Sequence, residues 1–520
     1  MAMSSHTKEY PGQPVVQSKV VYIGDIPLGG PHPVRIQSMT NTNTLDTESS
    51  VNQIIKLADA GCDYVRLTTQ GVREAENLGR IKEELLKRNY IIPLIADVHF
   101  NPKAAEVAAT LVEKVRINPG NYTDKKRTDD QYDESANMAA RQQIRENLMP
   151  LLEICKKHHT AIRIGTNHGS ISDRIMTRFG NTPFGMVESA MEFIEICREA
   201  DFHELVLSMK ASHVPTMIEA NQLLVKRMTE SGYYYPIHLG VTEAGDGEDG
   251  RIKSAAGIGN LLAQEIGDTI RVSLTEKPED EVPVARKLVQ YYGKKHLLSH
   301  RSPHQIIYFN HHNSEKPKYP LVLTSQKTPL GDVVVVAQTI SETPENNLTG
   351  YQVNYAELDY ESLVIRASTD ISLLMLNHRR DGIFIQNSGL SSDETLARLS
   401  LNILQGLGMR YSKTEFIACP SCGRTLFNLI EQLALVREKT DHLSGLKIAV
   451  MGCIVNGLGE MADADYGYVG AGRGKVNLYQ GKELIEKNIP EGEAVEALIE
   501  LIKKGGDWIA APISLKNEIC

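Results

Sequence analysis

The stretch V-R-I-Q-S-M-T-N-T-N-T-L-D-T-E-S-S-V-N-Q-I-I-K-L-A-D-A, residues 34–60, decides the fold. It opens with a short β-rich run and passes through a polar loop. From Val51 its apolar residues recur three and four apart, the spacing of a helix with one buried face. The same unit returns along the chain, with β-rich runs at 34–40, 63–69, 93–99, 114–118, 161–165, 204–209, 237–241 and 269–274, and amphipathic helices such as 183–200 between them. Eight successive strand–helix units in about 250 residues predict a (β/α)8 TIM barrel; a doubly wound open sheet is the competing architecture, which so regular a series suits less well.

The chain of 520 residues is too long for one core. Its rhythm divides it into a substrate-binding TIM barrel over 1–292, an inserted module over 293–405 and a C-terminal α+β domain over 406–520. In the insert the βα rhythm lapses into polar loop-like stretches around β-rich runs at 320–324 and 332–339, and no concentrated set of ligands appears there, so a structural role is expected. From 406 the pattern predicts strands at 415–418 and 446–451, helices at 424–437 and 493–504, and a hairpin of 466–469 with 475–479.

A net charge of -9 argues against nucleic acid or an acidic membrane as partner. No apolar run is long enough to span a bilayer, and the start M-A-M-S-S-H-T-K-E-Y has no signal-peptide core, which predicts a cytoplasmic protein, or a plastid stromal one if a transit peptide has been trimmed. Seven cysteines thinly spread are expected to stay reduced. Cys62, Cys155 and Cys197 sit in apolar stretches and read as small core hydrophobes, and Cys520 as a frayed end.

At the C-terminal ends of the predicted strands stand Arg66, Asp97, His99, Arg116, Asn118, Arg163, Asn167, His168, Lys210, His238, Glu243, Arg271 and Ser273. In a barrel those ends converge on one mouth. Any single arginine there reads equally well as the partner of a barrel carboxylate. Four arginines and a lysine together need an anion, and the guanidinium fork suits phosphate, which predicts a small phosphorylated substrate.

Cys419 and Cys422 in A-C-P-S-C-G share one turn, and Cys453 in M-G-C-I-V-N-G-L-G-E lies at the end of another predicted strand. Such a set suits zinc or an iron–sulfur cluster. A structural zinc site wants four closed ligands, whereas three thiolates on a cluster leave one iron open to substrate. A thioredoxin-like pair would leave Cys453 idle. Glu460, in a loop with two glycines, is placed to bring a labile carboxylate toward the same centre. The glycine-rich runs at 467–475 and 257–262 fail the nucleotide motifs, since Val469 and Val476 break the first and the third glycine is missing from the second.

The segments A-C-P-S-C-G-R-T, M-G-C-I-V-N-G-L-G-E-M-A-D-A-D-Y-G, V-R-I-Q-S-M-T, K-V-R-I-N-P-G-N, I-R-I-G-T-N-H-G-S and H-L-G-V-T-E-A-G together resemble the family of 4-hydroxy-3-methylbut-2-enyl diphosphate synthases of the non-mevalonate isoprenoid pathway, in the three-domain form of plants and chlamydia-like bacteria. The resemblance implies reductive, dehydrating ring opening of 2-C-methyl-D-erythritol 2,4-cyclodiphosphate by two single-electron transfers through a 4Fe-4S cluster. Carried over by motif, Cys419, Cys422 and Cys453 hold the cluster with Glu460 as displaceable fourth ligand. Arg66, Arg116, Arg163, Asn167, Lys210, Arg271 and Ser273, with His238, hold the substrate; Glu243 is the proton donor and Asn456 touches substrate beside the cluster. Leu458 replaces the family's proline in N-G-P-G-E. The resemblance also implies flavodoxin or ferredoxin as electron donor and is consistent with a homodimer; two-domain members of the family have the cluster domain of one subunit capping the barrel of the other, and with the insert present two arrangements are open, a cap on the partner's barrel or on its own. Two readings of other classes compete: a zinc-stapled protein that sequesters a phosphorylated ligand, and a transferase of the dihydropteroate-synthase kind.

Overall fold

The computed structural model describes residues 17–122, 134–293, 304–309, 317–325, 333–335, 348–389, 391–454, 459, 461 and 463–510. Two short strands, β1 (Val21–Ile23) and β2 (Ile26–Leu28), form an antiparallel hairpin ahead of the first βα unit. Eight parallel strands follow: β3 (Arg35–Met39), β4 (Tyr64–Thr68), β5 (Leu94–Asp97), β6 (Lys114–Ile117), β7 (Ala161–Asn167), β8 (Leu205–Lys210), β9 (His238–Leu239) and β10 (Thr269–Ile270). Each falls on one of the eight predicted runs. β10 returns to β3, with Thr269 opposite Arg35, and a parallel bridge from Leu207 to Ile237 joins β8 to the start of β9. The sheet is therefore a barrel and not an open doubly wound sheet.

The first unit shows how local chemistry sets the elements. Asp46 caps the helix Thr47–Ala60 by accepting from the Ser49 amide, and Gly61, at φ 100°, ends it. Val51, Ile54 and Leu57 are its buried face. At the far end of the barrel Tyr64, Ile95, Ala161 and Val206 form an apolar cluster with Val21, Ile23 and Leu28 of the hairpin. The hairpin is a floor.

Beyond the helix Pro278–Tyr292 lies a second sheet of β11 (His304–Phe309), β12 (Leu321–Thr324), β13 (Val333–Val335), β14 (Leu348–Tyr355) and β15 (Gly382–Asn387), in the order β11-β14-β15-β12-β13. The insert is more regular than the loop-like reading of 293–405 suggests. It carries two helices, Tyr360–Asn377 and Asp393–Gly406. The first is buried around most of its circumference, because the sheet and the barrel both cover it, so it lacks the polar stripe by which a surface helix is read. Its hydroxyls dock into the barrel wall: Thr369 Oγ1 donates to the carbonyl of Ala255 and Ser372 Oγ to that of Ala256, each at 3.0 Å. Those carbonyls belong to a π-helical turn, Ala255–Gly259. A Cβ on Gly259 would lie 2.2 Å from Thr369 Oγ1, so the G-I-G stretch serves helix packing.

The third sheet runs in sequence order: β16 (Glu415–Ala418), β17 (Lys447–Met451), β18 (Tyr466–Gly472), β19 (Lys475–Gln480) and β20 (Glu483–Pro490). The helices Leu429–Thr440 and Ala494–Gly505 pack on it around a separate apolar core. The predicted hairpin is present as β18 and β19, and β20 extends it. The helix predicted from 424 starts only at Leu429, because Cys422–Thr425 forms a turn in which the Cys422 amide donates to Thr425 Oγ1 and the Thr425 amide to the Cys422 carbonyl.

This third unit sits on the barrel of its own chain. A parallel bridge joins Ala244 to Ala418, and Thr275 Oγ1 donates to the Cys419 carbonyl at 3.0 Å. Lys253 pairs with Glu415 at 3.0 Å, and Asp249 pairs with both Lys413 and Arg437. Arg437 also reaches Asp246 at 2.6 Å.

Candidate active site

Where the cap meets the barrel mouth there is a cleft of about 770 Å³. The barrel side brings Arg66, Arg116, Arg163, Asn167, Lys210, Glu243, Arg271 and Ser273 to it, all named in advance from strand ends. The cap side brings Cys419, Cys422 and Cys453. His238 does not line the cleft. It is buried on β9 within the barrel, with Nδ1 3.5 Å from Thr269 Oγ1 and no partner at Nε2 among the described residues. Asn456 and Glu460 lie outside the described residues.

The barrel side is a fixed ring of charge. Arg116 Nη1 donates to Asp97 Oδ1 at 3.1 Å and contacts His99 Nε2 at 2.6 Å, while Nη2 donates to the Gly165 carbonyl at 2.9 Å. That approach depends on glycine: a Cβ at 165 would stand 2.7 Å from Arg116 Nε. Arg271 makes a two-point bond to Glu281, at 3.1 and 2.9 Å. Met39 Sδ accepts from Arg66 Nε at 3.2 Å and from Arg271 Nη1 at 3.5 Å, a neutral acceptor between two cations. Arg163 is 1% exposed, and its Nε and Nη1 have no acceptor among the described residues.

Electrostatics show what the ring lacks. Burial, then repulsion from neighbouring cations, holds Arg163 and Lys210 well below their usual basicity. Arg66 comes down to about 10, chiefly through burial, with Asp97 opposing the drop. Burial would raise Asp97, yet Arg66 and Arg116 hold it well below the ordinary carboxylate range. His99 is brought to about 3 by burial and then by Arg116, so it is neutral near pH 7 and its Nε2 accepts from Arg116. Cations whose charge is suppressed by one another gain most from a bound dianion.

The cap side is made of turns. Ser421, between the two cysteines, has φ 62°, and Glu243, on the barrel loop bridged to β16, has φ 48°. Both are left-handed conformations that side chains adopt at a cost of about 1 kcal/mol or more, held here by the docked strands. Cys419 Sγ accepts from the Gly452 amide at 3.2 Å. None of the six described cysteines is in a disulfide, and the three of the cap are partly exposed, whereas Cys62, Cys155 and Cys197 are buried as predicted for core residues. No three metal-binding side chains among the described residues converge on one ion. A four-iron cluster does not require that, because each thiolate takes its own iron.

Three cleft residues carry no periodic signal in the sequence. Met39 and Ser208 lie within strands, and Arg424 follows the C-x-x-C turn and reaches Asp97 at 3.8 Å.

Comparison with known proteins bears on both halves. The profile of the GcpE TIM-barrel domain matches residues 18–286, and that of the GcpE protein C-terminal domain residues 415–504. A Bacteroides fragilis protein named 4-hydroxy-3-methylbut-2-en-1-yl diphosphate synthase (flavodoxin) is 45% identical over 96% of this chain and 97% of its own. Proteins of the same name from Porphyromonas gingivalis and Protochlamydia amoebophila are 43% and 37% identical, each over 95% of this chain and over 98% and 96% of their own.

Proposed function

The chain belongs to the GcpE family of 4-hydroxy-3-methylbut-2-en-1-yl diphosphate synthases, iron–sulfur oxidoreductases that open 2-C-methyl-D-erythritol 2,4-cyclodiphosphate reductively with loss of water, and from that premise we propose how its residues divide the work. The observation that carries the proposal is the meeting of a cation-rich barrel mouth and three cysteines in one cleft.

Arg66, Arg116, Arg163, Lys210 and Arg271 bind the cyclic diphosphate, with Asn167 and Ser273 donating hydrogen bonds at its edge. His238 lies beneath them and supports the strand that carries the Glu243 loop. Glu243 faces the cleft and is the donor of the proton that the departing hydroxyl takes up to leave as water. Cys419, Cys422 and Cys453 would hold a 4Fe-4S cluster with Glu460 as its exchangeable ligand, and Asn456 would contact substrate beside it. When bound, such a cluster would supply electrons to the substrate one at a time. The seated cap excludes water from the reacting carbon.

Flavodoxin, printed in the relatives' names, is the electron donor we infer, with ferredoxin as the substitute of the same chemistry. The named relatives are bacterial, and we assign the enzyme to a bacterial cytoplasm rather than a plastid. No helix among the described residues is long and apolar enough to cross a membrane. A homodimer is compatible with this site but is not needed to complete it. Anaerobically reconstituted protein should contain iron and sulfide and convert the cyclic diphosphate with reduced flavodoxin. Iron-free protein, or loaded protein without turnover, would overturn the assignment.

A further inference from the structure

Six arginine and lysine side chains line the cleft among the described residues, and five of them belong to the barrel, four on its strands and Arg271 directly after β10. The sixth, Arg424, arrives with the cap. It stands two residues after Cys422, on the turn closed by Thr425. Its guanidinium lies 3.8 Å from Asp97, a carboxylate of the other domain already engaged by Arg116, and its charge acts on Cys422 and Cys453 as well. Its side chain is 11% exposed, and Nε is buried without an acceptor among the described residues. The cation is thus held between the barrel's anion and two of the three cysteines.

We propose that Arg424 is a positioning residue that holds positive charge against the cysteine-bound iron–sulfur group and raises its reduction potential. The proposal rests on the cysteine assignment made above. Adding an electron makes such a group more negative, so a fixed neighbouring cation stabilises the reduced state over the oxidised one. Because the carboxylate that anchors Arg424 belongs to the barrel, the full effect requires the cap to be seated. Electron uptake is thereby favoured where the substrate waits.

The test is a spectroelectrochemical titration without substrate, on full-length wild type, R424Q and R424K reconstituted together, with iron and sulfide counted in each. In R424Q, at wild-type loading, the reduction equilibrium should move at least tenfold toward the oxidised form, a fall of about 59 mV for one electron. R424K, which keeps the charge, should stay within twofold of wild type. An unchanged potential in fully loaded R424Q overturns the proposal. Should R424Q fail to load, R424K decides: normal loading and potential support the charge role, and a tenfold fall despite the retained charge overturns it. Wild type that takes up neither iron nor sulfide would sink the cysteine assignment itself, which separates that failure from this one.

Discussion

The two sides of the cleft are built by different means. On the barrel, Arg66, Arg116 and Arg163 lie on strands hydrogen-bonded to both neighbours, and Arg116 and Arg271 are further fixed by Asp97 and Glu281. On the cap, the cysteines stand in turns just beyond β16 and β17, oriented by a left-handed Ser421 and a Thr425 hydroxyl. A ladder fixes a side chain's position within a pleat, whereas a turn aims a group past the end of the sheet. Binding is thus assigned to the rigid half, with Glu243 on its rim as proton donor, and electron transfer to the half that reaches out.

The largest effect should come from the reaching half. Cys453→Ser should cut turnover at least a thousandfold while leaving the dissociation constant for the cyclic diphosphate, by calorimetry, within about threefold. A comparable loss of affinity would dissolve the division of labour. Mixing that variant with Arg163→Leu should restore no activity, because each chain caps its own barrel; recovery toward one quarter of wild type would mean capping between chains.

Next comes the rigid half alone. Arg163→Leu should weaken substrate binding by about 1.5–3 kcal/mol, the range for a charge-assisted bond, with iron and sulfide content unchanged. Unaltered binding would remove Arg163 from the substrate's grip.

A smaller effect is set by pH. Lys210 in the free enzyme is held well below its usual value of 10.5, and a bound dianion returns it toward that value. The complex then carries more protons than the free enzyme, so affinity should fall as pH rises between the depressed value and 10.5, by up to tenfold per pH unit. Calorimetry in buffers of different ionisation enthalpy should register proton uptake on binding; proton release would reverse the sign and refute the account.

The smallest effect belongs to the partly exposed seam. Arg437→Ala should cost about 1 kcal/mol or less, because pairs with this much water around them are screened. A loss of several kcal/mol in denaturant unfolding would mean that the cap is clasped at its rim rather than by Ala244–Ala418 and the buried Lys253–Glu415 pair.

The barrel was legible because eight apolar runs each end in polar groups, and that abrupt change is itself the mark of a mouth. The floor was not. Each of its strands is three residues long, too short for any periodicity to show. The insert's central helix was hidden by burial on most sides, and helix Leu429–Thr440 was read too early because the turn before it is polar and unbroken by proline. Among site residues, those at strand ends could be named from the sequence. Arg424 could not be assigned a role, since its meaning depends on Asp97, far away along the chain and met only when two domains close.

The apolar floor has a consequence for traffic. Among the described residues, Val21, Ile23 and Leu28 seal one end of the barrel, and the cap stands over the mouth at the other. What enters as a ring must leave as an open chain by the same door. Any lifting of the cap therefore serves entry and exit alike, and its rate bears on how fast the enzyme can work.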